Sequence, residues 1–580
     1  MKKRIPFQFT FFVCILCQLF IPLLGSAQGT NNSIDAFHYI IQKRAIGGQG
    51  AVSSAHPLAS LVGLFILKKG GNAFDAAIAT QLALAVVYPV AGNLGGGGFL
   101  VGYTEEKKAI TIDYREKAPS AASKNMYLDS LGNPLLNLSQ NGHLASGVPG
   151  SVAGFFAAHH YGKLSFTEII QPAIDLAANG FAITASQAES FNEDRNEFIQ
   201  YNTVLPVFVK SQPWKAGDTL IQKDLAATLI RIRDKGLKGF YEGETAELIS
   251  AEMKRGKGLI TKEDLLAYKA IEREPIQFDY KDHTIIGMPM PSSGGLLLKQ
   301  MLRMIEDRSI ESMGFQTPAS VQLMVEVERR AFADRAEFMG DQDYVKVPVQ
   351  TLGSDAYLKK RMIDFIPGKA TSSTQISPGN VNPESEETTH LSVADQYGNA
   401  VGVTTTLNGG YGSKTVVGGA GFFLNNEMDD FTVKPGVPNM YGALGKDANA
   451  ISPGKRMLSS MSPTIVLKHN KPYLVVGTPG GTTIPTSVFQ TLVNIIDFHQ
   501  TPKDAVNNPK FHHQWLPDEV MTEHDFSINT ANDLKGMGYK IGNRGEIGRT
   551  EVIQIEWKKK KVQKMEAIGD KRGDDDAEAY

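Results

Sequence analysis

Apolar positions recur at helical spacing early in the chain. Leu58, Leu61, Val62, Phe65 and Ile66 share one face, and Gly70-Gly71 ends the run. Asn72 is placed to cap a second helix over 73–87, which Pro89 closes. Residues 150–375 read as mainly helical, most clearly Ser165 to Ala178 and Ser320 to Met339. From Thr388 onward β-branched runs bounded by turn residues take over: Pro463 to Leu467, Tyr473 to Val476 and Val552 to Ile555, with a helix over Val488 to Phe498. No internal repeat and no βαβ rhythm is visible. The pattern predicts an α+β body of stacked layers, not a doubly wound sheet.

One segment allows a prediction of register. Leu391, Val393, Val401 and Val403 flank Asp395-Gln396-Tyr397-Gly398-Asn399, and Gly398 suits the left-handed position of a short hairpin loop. If Asp395 pairs with Asn399, Val393 faces Val401, Leu391 faces Val403 and Thr388 faces Thr406. Opposed Cβ atoms lie about 5 Å apart, so the two hydroxyls meet. Asn408, two residues on, projects to the same side as Thr406. Read without further context, the segment is a threonine-rich strand.

Composition changes this picture mainly by exclusion. The chain has 580 residues, 42% hydrophobic and 21% charged, with net charge −2, so it is globular with no electrostatic footprint for nucleic acid. The basic run Lys558 to Lys561 reads as a solvated hairpin turn. Lys2, Lys3 and Arg4, the apolar stretch from Phe7 to Leu24 and Gly25-Ser26-Ala27 form a leader with cleavage expected after Ala27; an uncleaved anchor is the alternative. The only cysteines, Cys14 and Cys17, fall inside it. The mature chain then lacks disulfides, thiol catalysis and cysteine-bound zinc, and a periplasmic or secreted location is expected. Gly92-Asn93-Leu94-Gly95-Gly96-Gly97-Gly98 permits close backbone approach and positive φ, but lacks the lysine and Ser/Thr of a phosphate loop.

Many short motifs in order carry a resemblance. They include Gly71 to Ala77, the glycine run ending in Phe99, Tyr114 to Pro119, Gly147 to Gly150, Pro291 to Gly295 and Ala333 to Glu337. They continue through Glu387-Thr388-Thr389-His390, Thr404 to Asn408, Leu424 to Phe431, Ser459 to Thr464, Gly480-Gly481 and Phe511 to Pro517. In these the chain resembles the γ-glutamyltransferases over nearly its whole mature length. The resemblance implies an N-terminal-nucleophile hydrolase fold, a four-layer αββα sandwich built jointly by two subunits. It implies autocatalytic cleavage between Glu387 and Thr388, giving a leader at 1–27, a large subunit at 28–387 and a small one at 388–580.

Roles follow from the same resemblance. Thr388 is the nucleophile, its new α-amine the base, and Thr406 a hydrogen-bonding support. Gly480 and Gly481 supply N–H groups to the oxyanion. Arg115, Ser459 and Ser460 take the substrate α-carboxylate, and Asn408, Glu427 and Asp430 its α-ammonium. Lys434 to Lys455 resembles a lid loop with Tyr441 near its tip. The implied substrates are glutathione and related γ-glutamyl compounds, with water or amino acid and peptide amines as acceptors, and no cofactor or metal. A same-fold acylase or poly-γ-glutamate transpeptidase is the alternative. Taken singly, Arg115 reads as an ordinary surface or ion-paired arginine, Asp429-Asp430 as a solvated loop pair, His390, His512 and His513 as structural, and Ser292-Ser293-Gly294-Gly295 as a turn.

Overall fold

The computed structural model describes residues 34–376 and 388–580. The leader, its cysteines and Glu387 lie outside the described residues. Two seven-stranded antiparallel sheets form the centre. One runs Arg44–Gly47, Lys561–Ile568, Glu551–Lys558, Lys471–Gly477, Thr464–Lys468, His283–Gly287, Ile276–Tyr280 from edge to edge. The other runs Asp576–Ala579, Gly50–Ser54, Thr389–Asp395, Ala400–Thr406, Gly97–Tyr103, Ala109–Asp113, Ile271–Arg273.

Strand alternation divides the side chains into three cores. Odd-numbered Leu391, Val393, Val401 and Val403 pack, with Val52 and Leu100, against the helices Pro57–Lys68, Ala73–Val87 and Phe166–Asn179. Leu474, Val476, Val466 and Ile285 pack against Gly294–Glu306, Pro318–Phe338 and Thr483–Ile496 on the opposite side. The intervening positions, Ala394, Ala400, Phe99, Val101, Ile465, Val475 and Ile553, fill the space between the sheets. This is an α+β, four-layer αββα sandwich.

The helix from Ala73 begins where the sequence places it. Asn72 Oδ1 accepts from the Phe74 and Asp75 N–H groups at 3.0 and 3.1 Å, and Asp75 Oδ2 accepts from Asn72 N–H at 2.9 Å. Such a capping box contributes about 1 kcal/mol. The basic run is a hairpin turn, with Lys558 opposite Lys561. The expectation of a mainly helical 150–375 misses the strands between Ile271 and Gly287. They are short and partly exposed, so neither a buried apolar run nor a long alternation marks them. The glycine run shows the expected close approach but not the positive φ. A Cβ on Gly95, Gly96, Gly97 or Gly98 would strike the backbone oxygen of Phe423, Thr406, Tyr114 or Thr404 respectively. None of the four has positive φ, so close approach alone explains them.

Glu328, fully buried on the helix Pro318–Phe338, accepts the His513 N–H at 3.0 Å. Burial raises its carboxyl well above the usual range, against the lowering effect of that bond. The folded state therefore holds a proton that the unfolded chain releases near pH 4.3. This contribution is full below that pH and shrinks as pH rises. Glu328→Gln removes the dependence. The variant's melting temperature should gain on wild type as pH rises above about 4.3. A pH-independent difference in melting curves contradicts this.

Candidate active site

The hairpin 389–406 has the register read from its sequence. Leu391 pairs with Val403, Val393 with Val401 and Thr389 with Thr405. Asp395 Oδ1 closes the loop by accepting the N–H groups of Tyr397, Gly398 and Asn399, with Gly398 at φ +100°. Extended by one residue, the pairing brings Thr388 to Thr406, whose Oγ1 atoms lie 3.5 Å apart. Both point into the space between the sheets, because even-numbered positions face that way. Thr406 Oγ1 accepts the Asn408 N–H at 2.8 Å, and Asn93 Nδ2 donates to Thr406 O at 2.9 Å. The strand has ended by Asn408, whose φ is +78°. Its side chain nevertheless reaches the cleft and donates to Asn426 O at 3.0 Å.

Across the gap, the strand Lys471–Gly477 of the other sheet leads to Gly480 and Gly481, at φ +132° and +47°. These conformations favour glycine. The helix Thr483–Ile496 follows at once, so its positive dipole end faces the cleft where Gly481 and Thr482 line it.

A cleft of about 330 Å³ opens beside Thr388. Arg115, 1% exposed, also lines it. One guanidinium nitrogen lies 2.5 Å from Glu427 Oε2 and the other donates to Asp430, while Glu116 stands 3.5 Å away. Arg115 is thus an ion-paired arginine and a cleft residue at once. Burial works against its charge, but Glu427, Asp430 and Glu116 more than restore it, so its pKa is raised. Burial pushes Glu427 well above the carboxylate range, although Arg115 pulls it down, and pushes Glu116 up to about 8.

Ser459 and Ser460 line the cleft as well. Their backbone rests on the Pro291–Gly295 turn: Ser459 N–H donates to Pro291 O at 2.9 Å, and Ser459 O accepts the N–H and Oγ of Ser293, both at 2.8 Å. The motif is a buttress, which accounts for its serines without a nucleophile.

Asp429 and Asp430 are not a solvated pair. Asp429 is fully buried, accepts from Ser139 Oγ at 2.6 Å and Met440 N–H at 2.7 Å, and is pushed up to about 7 by burial. Asn439 Nδ2 donates to Asp430 Oδ1 at 2.7 Å, and Asn439 Oδ1 accepts from Tyr441 and Ala443. The two aspartates therefore moor the segment around Asn439 to Tyr441, and Tyr441 lines the cleft.

The cleft gathers Arg115, Thr388, Thr406, Asn408, Glu427, Asp430, Tyr441, Ser459, Ser460 and Gly481. Gly480 is the neighbour of Gly481 just outside its lining. Sequence reasoning missed Arg335, Asn439 and Thr482, which also line it. Arg335 lies in a motif used for the resemblance without a role, and Asn439 sits two residues before Tyr441 in the lid. The histidines have local partners: His390 bonds Thr404 and Ser392, and His512 bonds Thr486 and Gln514. Burial lowers both to about 3.

The family model described as Gamma-glutamyltranspeptidase matches residues 59–580. A glutathione hydrolase proenzyme of Escherichia coli is 46% identical, covering 90% of each chain. One of Pseudomonas aeruginosa is 45% identical, covering 90% of this chain and 93% of its own. A crystal structure of a cephalosporin acylase from Bacillus halodurans superposes with TM-score 0.81 at 26% identity, covering 94% of this chain and 98% of that one.

Proposed function

We propose, on the premise that this chain belongs to the gamma-glutamyltranspeptidase family and is a γ-glutamyltransferase and hydrolase, that Thr388 carries its acyl transfer. The observation that carries this reading is the cleft itself, whose lining brings together a threonine hydroxyl and a buried Arg115–Glu427–Asp430 cluster. Such a cluster suits a group bearing both a carboxylate and an ammonium. Glutathione and other γ-glutamyl compounds present that pair at one end and an amide at the other.

In this reading cleavage between Glu387 and Thr388 frees the α-amine of Thr388. That amine takes the proton as Thr388 Oγ1 attacks the γ-carbonyl carbon. Negative charge gathers on the carbonyl oxygen, opposite the N–H groups of Gly480 and Gly481 and the end of the helix dipole. The C–N bond breaks, the amine leaves with the proton, and a γ-glutamyl ester remains on Thr388. Water or an acceptor amine then attacks the ester with the same base. Arg115, Ser459 and Ser460 hold the α-carboxylate; Asn408, Glu427 and Asp430 receive the α-ammonium; Thr406 orients the nucleophile; and Tyr441 closes the entrance.

The same reading has the pieces 28–387 and 388–580 remain together as a heterodimer. Strand order supports this, because each sheet interleaves strands from both sides of residue 387. Separation would break backbone ladders in both sheets. Export through the leader at 1–27 to a periplasmic or secreted location is part of the proposal. Fractionation with N-terminal sequencing tests it, expecting Gln28 and Thr388 as the two new N-termini.

The direct test is release of chromophore from a γ-glutamyl anilide by the purified, two-band protein, with and without a dipeptide acceptor. Turnover accelerated by the dipeptide is expected. Selective turnover of glutaryl anilides instead would move the assignment to the acylases.

A further inference from the structure

Tyr441 and Gly481 line the cleft from separate parts of the chain, and a side chain outside its lining joins the two. Gln514 Oε1 accepts from Thr482 Oγ1 at 2.6 Å, and Gln514 Nε2 donates to Gly442 O at 3.2 Å. Thr482 directly follows Gly481, and Gly442 directly follows Tyr441. A carbonyl oxygen only accepts, so Gly442 O fixes which end of the amide faces it and leaves Oε1 to Thr482. His512 Nε2 lies 2.9 Å from the same Oε1.

The amide stands on a firm base. Its neighbour Trp515 donates from Nε1 to Ile376 O at 2.8 Å, and Ser373 Oγ donates to Trp515 O at 2.5 Å. The bridge spans a gap and not a packed contact. A cavity of about 230 Å³ beside the cleft is lined by Gly442, Leu444, Thr482, Gln514 and Leu516. On the other side of Tyr441, Met440 and Asn439 are held by Asp429 and Asp430. Tyr441 is thus gripped from both directions, and the Gln514 grip comes from the oxyanion side.

We infer that Gln514 is a positioning residue that ties the segment carrying Tyr441 to the Gly480–Gly481 loop. One amide then sets both the closure over the γ-glutamyl ester and the direction of the N–H groups beside it. This rests on the γ-glutamyl reading and deepens it. Closure governs how freely bulk water reaches the ester. A bound acceptor amine depends on the shape of that wall, whereas water does not, so a loosened wall favours hydrolysis over transfer.

Gln514→Asn keeps the amide but is one methylene too short to reach both partners. The two-band variant is given γ-glutamyl anilide and a fixed concentration of glycylglycine. Its ratio of γ-glutamyl-glycylglycine to free glutamate should fall about fivefold or more below that of the wild type. A side chain that serves folding alone lowers the active fraction and leaves the ratio unchanged, and that result overturns the inference. Tyr441→Ala should lower the ratio as well, and adding Gln514→Asn to it should lower it by less than about twofold more. Independent, multiplying losses in that pair also overturn the inference. If Gln514→Asn does not self-cleave, Thr482→Val decides, because it severs the same connection from its other end. A ratio equal to that of the wild type in Thr482→Val overturns the inference. Absence of γ-glutamyl turnover in the wild type would instead defeat the functional reading itself.

Discussion

Thr388→Ala should yield a single uncleaved chain with γ-glutamyl turnover reduced by about 10⁴-fold or more. The two losses are expected together because one oxygen serves both reactions. Before cleavage it is the nucleophile for its own preceding carbonyl; afterwards it is the nucleophile for the substrate. Thr388→Ser keeps the oxygen but frees χ1, so partial activity and slower maturation should follow. Thr406→Ala removes only the neighbour at 3.5 Å, and a smaller loss, on the order of tenfold, is expected. Denaturing gels score cleavage and anilide hydrolysis scores turnover. An uncleaved Thr388→Ala chain that still turns over substrate would show that another group is the nucleophile.

That the two threonines meet was legible before any coordinates, because register in a short hairpin is set locally. Asp395, Gly398 and Asn399 determine the loop, and the apolar alternation of Leu391, Val393, Val401 and Val403 sends one set of side chains to the helix side and the threonines to the other. The rim of the cleft was less legible. Arg115, Glu427 and Ser459 are far apart in the chain, and only the resemblance joined them. Nothing local distinguishes Arg335, which lines the cleft, from the ion-paired Arg329 and Arg330 on the same helix. The Ile271–Gly287 strands were hidden for a related reason. Ile271–Arg273 and Ile276–Tyr280 are edge strands and His283–Gly287 beside the latter is only five residues long, so their own pattern is weak. The four glycines were recognised as permitting close approach, but what approaches is the carbonyl face of distant Thr404, Thr406, Tyr114 and Phe423.

Arg115→Gln is expected to cost about 3–5 kcal/mol of stability and to lower kcat/KM by about 10²-fold or more. The change leaves Glu116, Glu427 and Asp430, all pressed toward neutrality by burial, without the cation that offsets their desolvation. The argument yields a sharper consequence in a double variant. Glu427→Gln alone removes one of three carboxylates around Arg115, so its effect on melting should be small. Added to Arg115→Gln it removes a stranded buried carboxyl, so the double variant should melt above the single one. Additive losses in that cycle would show that Arg115 and Glu427 are not coupled. Activity should not follow stability. Recovery of melting without recovery of kcat/KM would separate the structural use of the Arg115 charge from its use in the cleft. The ammonium end would then be intact in fold but lack the paired acid that receives substrate.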